Sequence, residues 1–220
     1  LPPVEKKSID NVVRYEAAGQ IPFPLDDLNW GYHVFATPID ETIDFCERRV
    51  VLQAIKRVHI QDVLDLGQEL GLNVDIIQSD SVALYNLAFH EYLGEAESNA
   101  DAVCLLDVGA ASSNLVICAR DSVWFRNLSL AGESFTSALV RPLKLTRVQA
   151  EQLKCDPSRA KRVSPVYELL TPVFSHLADE VQRSLQVRTR LRSDLRIRRI
   201  IGCGGGFSMH GLLRWMRSGH

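Results

Sequence analysis

The sequence has no run of ~18 consecutive apolar residues, so no segment of it reads as a membrane-spanning helix. It has no basic excess: 25 Lys and Arg stand against 27 Asp and Glu, a net charge of −2. That excludes the electrostatic footprint of a nucleic-acid binder or of a protein held directly on an anionic bilayer. The opening residues, LPPVEKKSID, contain no apolar core of the kind a secretory leader carries. There is no C-x-x-C pair, and the five cysteines at 46, 104, 118, 155 and 203 are scattered. An odd, unpatterned set is not a disulfide framework and predicts a reducing compartment. Cys104, Cys118 and Cys203 fall inside apolar runs, where a free thiol acts as a small hydrophobe. Internal repeats and low-complexity stretches are missing as well. What is present is a 46% hydrophobic chain of 220 residues, enough for one large domain or two modest ones.

The most informative stretch is DAVCLLDVGAASSNLVICARDSVWFRNLSL, residues 101–130. Three short apolar runs, bounded by turn residues, read as three strands. Connections this tight can only join antiparallel neighbours, which predicts a meander. The first turn is distinctive: Asp107 closes a strand, and Gly109, Ala110, Ala111, Ser112 and Ser113 follow. Small residues let backbone N–H groups approach an anion. A carboxylate repels phosphate but holds a Mg²⁺ that bridges to it. A plain hairpin with an incidental aspartate is the equally weighted alternative for this D-x-G-x-x-S pattern taken alone.

Upstream, apolar residues at Ile9, Val12, Val13 and Ala17 predict a helix capped by Ser8. Prolines flank Phe23, so residues 21–24 are extended and stay out of a central strand. They form an apolar loop that either docks a partner or packs on its own domain. Strands are expected at 28–36, 49–55 and 74–78, with a loop at 37–47 and a helix over 59–70. Asp65-Leu66-Gly67 resembles a phosphate turn, but it lies within that helix, where backbone N–H groups are already bonded. Asp80 caps a helix to Leu93, and the polar stretch 94–99 marks a boundary. After the meander, a helix starts near Gly132, its N-terminus facing the anion held by the Asp107 turn, and ends at Pro142. A short helix capped by Thr146 and a long one from Ser164 to about Arg192 follow. The run Arg190, Arg192, Arg196, Arg198 and Arg199 reads as a solvated helix end and loop, with a polyanion site as the less favoured alternative. Gly202-Cys203-Gly204-Gly205-Gly206 follows a short strand, and Phe207–Met216 reads as a helix. Glycines at that place let backbone approach a ligand closely.

Together these motifs resemble the actin-like ATPase superfamily, which includes actin and the sugar kinases. Within it they resemble the type IV pilus assembly branch, the PilM family. The matching stretches are YEAAGQIPFPLDDLNWGYHVF, LDVGAASSNLVI, LSLAGESFTSALV, EVQRSL and IIGCGGGFSMHGL, in that order along nearly the whole chain. The resemblance implies an α/β fold: an actin-like, ribonuclease H-like lobe with an inserted small α/β subdomain. Residues 1–79 would form that subdomain and part of a first lobe. Residues 80–98 would be a connecting helix and boundary. Residues 99–220 would be the second lobe, with a small insertion at about 143–163. It implies that ATP and Mg²⁺ are bound. Asp107, Gly109, Ser112 and Asn114 match the second phosphate motif, with Asp107 as the metal carboxylate. Gly202, Gly204 and Gly205 match the adenosine motif, Gly132 the turn approaching the ligand, and Glu180 and Arg183 the helix facing adenosine.

The family pattern also begins with a first phosphate hairpin, which has no match before Asp107, and continues past the glycine-loop helix. The chain is therefore expected to be an internal portion of a longer protein. No Glu, Asp or His is placed by motif as a base for water, so at most slow ATPase activity is expected. The implied role is a cytoplasmic nucleotide-binding scaffold at the inner membrane face. It would recruit the N-terminal cytoplasmic tail of a PilN-like inner-membrane pilus protein. A nucleotide-free interaction module and a small-molecule kinase of the same superfamily are the alternatives.

Overall fold

The computed structural model describes residues 1, 5–35, 49–94 and 100–218. The expected loop 37–47, Cys46 and all of the 94–99 boundary except Gly94 lie outside the described residues. The chain falls into two compact units, Leu1–Ala83 and Leu84–His220.

In the first unit, α1 (Ile9–Gln20) buries Ile9, Val13 and Ala17, one residue per turn along a single stripe. Ser8 does not cap it: a short 3₁₀ turn over Lys6–Ser8 leads in, and the serine side chain makes no cap bond. Strands β1 (Leu28–Val34) and β2 (Val50–Lys56) pair antiparallel, from Leu28 opposite Lys56 to Val34 opposite Val50. Helix α2 (Arg57–Glu69) follows directly and contains Asp65-Leu66-Gly67, as the pattern required. The third strand expected at 74–78 does not form. Residues 72–79 have no regular structure and join neither strand. The β-branched Val74, Ile76 and Ile77 favour a strand, but a strand also needs a partner edge.

The division between the units falls midway along α3 (Asp80–Ala88), which passes into a π turn, Phe89–Leu93. Here Ser79, not Asp80, accepts the N–H of Val82, so the cap lies one residue earlier than expected. The expected meander is present as β3 (Asp101–Val108), β4 (Ser113–Ala119) and β5 (Ser122–Leu128). Helix α4 (Gly132–Leu143) includes Pro142 in its last turn and stops at Lys144, which is left-handed at φ 53°. Helix α5 (Arg147–Cys155) is capped reciprocally: Thr146 accepts from Gln149 N–H and Gln149 Oε1 accepts from Thr146 N–H. The long α6 (Ser164–Leu191) carries Pro165 in its first turn and Pro172 inside it.

Strand β6 (Arg196–Cys203) then runs parallel to β3, completing a sheet of order β5-β4-β3-β6. Arg196, Arg198 and Arg199 therefore sit on a strand, not on a helix end. Arg192 bridges Asp121 at 3.3 Å and Asp194 at 2.6 Å, and Arg198 meets Asp101 at 2.7 Å. The helix expected over 207–216 is split into a 3₁₀ turn, Gly205–Ser208, and α7 (Leu212–Arg217).

Alternation along β3 builds two cores. Ala102, Cys104, Leu106 and Val108 join Phe135 and Leu139 of α4 and Leu170, Phe174 and Leu177 of α6. Val103 and Leu105 join Ala88 and Leu93 on the opposite face. Burial pushes the Cys104 and Cys118 thiols up to about 12, so both behave as neutral hydrophobes. No helix among the described residues is long and apolar enough to cross a membrane.

Candidate functional site

Asp107 is the second-last residue of β3, opposite Asn114 on β4 and in register with Cys203 on β6. The small-residue turn closes on itself through Gly109 N–H to Ser112 O at 3.0 Å. Because β6 is parallel to β3, both strands end on the same edge of the sheet, and the glycine loop emerges beside Asp107. Gly204 has φ 84° and ψ 162°, a conformation open essentially to glycine alone. A Cβ added there would overlap Asp107 Oδ1 and lie 2.6 Å from Val108 O. The chain thus brings the carboxylate and the loop backbone into direct contact. The Phe207 ring covers the side of Gly202 where a side chain would stand, 2.5 Å from an added Cβ, while the glycine itself stays exposed. Gly205 faces open space, with nothing within 4 Å of an added Cβ. The Cys203 thiol is pushed up to about 11, first by burial and then by the negative field of Asp107.

The N-terminus of α4 is docked on the turn. Gly132 N–H donates to Gly109 O and Glu133 N–H to Ala110 O, each at 2.8 Å. A Cβ on Gly132 would lie 3.1 Å from Gly109 O. The first two N–H groups of the helix are therefore bonded to the turn rather than left for an anion, which alters the expected role of Gly132. It shapes the turn from behind.

On α6, Glu180 bonds the β5–α4 connection and Arg183 bonds its own helix. The Glu180 carboxylate accepts from Ser129 Oγ at 2.6 Å and Ser129 N–H at 3.1 Å, fastening the β5–α4 connection to α6. Burial alone would raise its pKa, but the two Ser129 bonds outweigh that and hold it below the usual carboxylate range. Arg183 Nε donates to Asp179 O within its own helix. Glu180→Ala is expected to lower stability at neutral pH by ~1.5–3 kcal/mol, as for other charged hydrogen bonds. A folded pKa below the unfolded 4.5 stabilises above 4.5 and loses that stabilisation as pH falls through the folded value. Urea titrations should therefore show the wild-type advantage shrinking only below about pH 4.5.

One group at the site escaped the sequence reading. Lys154, buried on α5, donates to Gly132 O at 3.2 Å and Thr136 Oγ1 at 3.1 Å, and pairs with Glu151 at 2.7 Å. It secures the α4 terminus under the Asp107 turn. The signal was a lysine on the same stripe as Ala150 and Leu153, a place a surface lysine rarely takes.

These residues suit a Mg²⁺–phosphate group. Mg²⁺ commonly uses one or two protein carboxylates and takes its other ligands from phosphate and water. Asp107 supplies one carboxylate, and no cluster of three or more His, Cys, Asp or Glu that would cage a metal occurs among the described residues. Ser113 Oγ, fully buried just past the turn, has no hydrogen-bond partner among the described residues, which leaves a polar group available there.

A carboxylate-tipped meander whose glycine-loop neighbour arrives on a parallel fourth strand, after helices crossing one face, defines a lobe of the actin-like fold. A family model described as type IV pilus assembly protein PilM matches residues 3–218, so the chain belongs to that family. The structure of a PilM–PilN type IV pilus biogenesis complex matches with TM-score 0.78 and 27% identity, over 99% of this chain and 61% of that one. MreB 5 of Spiroplasma citri is similar in fold at 16% identity over 74% of this chain and 58% of that one. Its TM-scores are 0.54 bound to AMPPNP and 0.55 bound to ADP. No curated protein matches the chain. The chain thus spans less than two thirds of the length of the PilM and MreB structures it resembles.

Proposed function

We propose that this chain carries one side of a nucleotide site and a partner-docking unit of a cytoplasmic type IV pilus assembly scaffold. The observation that carries the reading is the contact of Asp107 with the Gly204 backbone at one edge of the sheet. In this reading Asp107 holds Mg²⁺ on the phosphates of ATP. Gly109, Ser112 and Asn114 shape the phosphate turn, and Gly205 lies flat beneath the adenosine. The bound metal would neutralise phosphate charge, and the chain's own residues orient the nucleotide. Glu180 and Lys154 stabilise the frame from behind, and nucleotide acts to order the protein more than to turn over.

The partner is the N-terminal cytoplasmic tail of a PilN-like inner-membrane protein, which holds the scaffold at the membrane face. The first unit offers the surface: a groove of about 750 Å³ lined by Trp30, Tyr32, Ile55, Ile60, Leu64 and Ile77. Ile55, Leu64 and Ile77 are exposed, which suits an extended or helical peptide filling apolar pockets. The Ile21–Leu25 loop stands apart from this lining. Phe23 is covered on one face by the Lys56 ammonium, 4.2 Å from its ring centroid.

Calorimetry with Mg²⁺–ATP and with a synthetic PilN-like tail peptide tests both halves. The 220-residue chain is expected to bind ATP weakly. Joining it to a lobe that supplies a first phosphate hairpin should tighten binding by ~2 kcal/mol or more, the order of one or two charge-assisted bonds. Ile60→Glu with Leu64→Glu should weaken peptide binding at least tenfold and leave ATP binding intact. Phe23→Ser with Leu25→Ser should have the smaller effect. Unchanged peptide affinity in the groove variant would place the partner elsewhere, and equal ATP affinity with and without the hairpin would remove the shared-site reading.

A further inference from the structure

A second cavity, of about 730 Å³, lies in the other unit, between the end of α4, helix α5 and the start of α6. That volume is within the ~300–1,000 Å³ usual for ligand sites. Its floor is apolar, from Leu143, Leu145, Leu153 and Val166. Its rim is cationic: Arg159, Lys161 and Arg162 line it, and no Asp or Glu does. Arg159 is partly neutralised by Asp156 at 3.2 Å. Lys161 and Arg162 are exposed, and neither is ion-paired among the described residues. In a chain of net charge −2, this is a local positive field over an apolar pocket. Two glutamines complete the lining one turn apart, Gln149 and Gln152. Gln149 Oε1 is engaged by Thr146 N–H, which leaves its NH₂ as a donor. Carboxamides pair with peptide groups and gain nothing from a hydrocarbon tail.

We infer that this cavity docks an acidic peptide segment of a second protein partner, with one or two large apolar side chains in the pocket and flanking carboxylates on Lys161 and Arg162. Apolar burial supplies affinity, and the charges supply orientation and on-rate. The site is separate from the groove in the first unit and from the Asp107 edge.

The test is selection from a random twelve-residue peptide display library on the 220-residue chain, with Lys161→Glu/Arg162→Glu as the counter-selected protein. Both substitutions lie on exposed side chains, and a thermal melt equal to wild type establishes that the variant is folded. Selected peptides are expected to carry Leu, Ile or Phe flanked by Asp or Glu. Synthetic copies should lose at least tenfold in affinity for the double variant and at least threefold between 50 and 300 mM salt. The Ile60→Glu/Leu64→Glu variant should bind them normally, which separates this site from the tail groove. Peptides without acidic bias, or acidic peptides that bind the double variant equally, would overturn the inference. So would vesicles of anionic phospholipid that bind through Lys161 and Arg162 while no peptide is enriched, since that outcome makes the rim a membrane contact.

Discussion

Gly204→Val is expected to abolish nucleotide binding and to destabilise the second unit, whereas Gly205→Val is expected to weaken binding alone. The two glycines are neighbours in sequence but not in environment. At φ 84° and ψ 162°, Gly204 occupies backbone space that a β-branched residue enters only with strain, ~1–3 kcal/mol. Its Cβ would also overlap Asp107 Oδ1 and crowd Val108 O, and forced overpacking of this kind costs a further ~1–3 kcal/mol. The carboxylate can only escape by leaving the strand edge where the metal would be held. A loss of more than a hundredfold in Mg²⁺–ATP affinity and a clearly lower melting temperature should appear together. Gly205 has open space around an added Cβ, so its substitution should stay within ~0.5 kcal/mol of wild-type stability, as exposed sites do. Its added side chain would occupy the volume assigned to adenosine, and affinity should drop at least tenfold. Melting curves and calorimetry on the two variants separate these outcomes. Normal ATP binding by Gly205→Val would reduce the loop to a strand-to-helix turn.

Asp107→Asn should remove the dependence of ATP binding on Mg²⁺. The amide keeps the shape of the carboxylate and deletes its charge, so the meander and its register with β6 should persist. Interactions with a charged group contribute ~1.5–3 kcal/mol, which is about a ten- to hundredfold loss of affinity. The variant with Mg²⁺ should bind ATP about as weakly as wild type in EDTA. A second readout needs no nucleotide. Burial, and after it the Asp107 charge, pushes the Cys203 thiol up to about 11, so deleting the charge should lower that pKa in part and speed alkylation of Cys203 at pH 8–9. Wild-type affinity with unchanged Mg²⁺ dependence would rule out the metal role. An unchanged Cys203 profile would show that the charge does not reach the glycine loop.

The meander was legible because its information is local. Val103 to Leu106 and Leu115 to Ala119 are apolar runs joined by a turn of small residues, and neighbours this close in sequence can pair only one way. The Thr146 cap and the start of α6 at Ser164-Pro165 were legible for the same reason: a cap is written within four residues. The absence of long apolar runs and of basic excess also bounded the protein without any fold. Where a local signal lacked its partner, it misled. Residues 74–78 are rich in β-branched residues like a strand but join no sheet, and Phe207 falls within a 3₁₀ turn, Gly205–Ser208, and not at the start of a longer helix.

What only the tertiary structure decided is where distant residues meet. Cys203 and Leu106 are 97 positions apart, and their strands become parallel neighbours only after three helices have crossed the sheet. That crossing puts Gly204 against Asp107 and leaves Gly205 open. It also gives Glu180 to Ser129, 51 positions away, and buries Lys154 beneath Gly132. No spacing rule encodes such pairs, because each depends on how helices pack on a sheet face, which is set by the volume and shape of the whole core. The sequence by itself determined the chemistry at the tip of each strand, and the packed sheet determined which tips face one another.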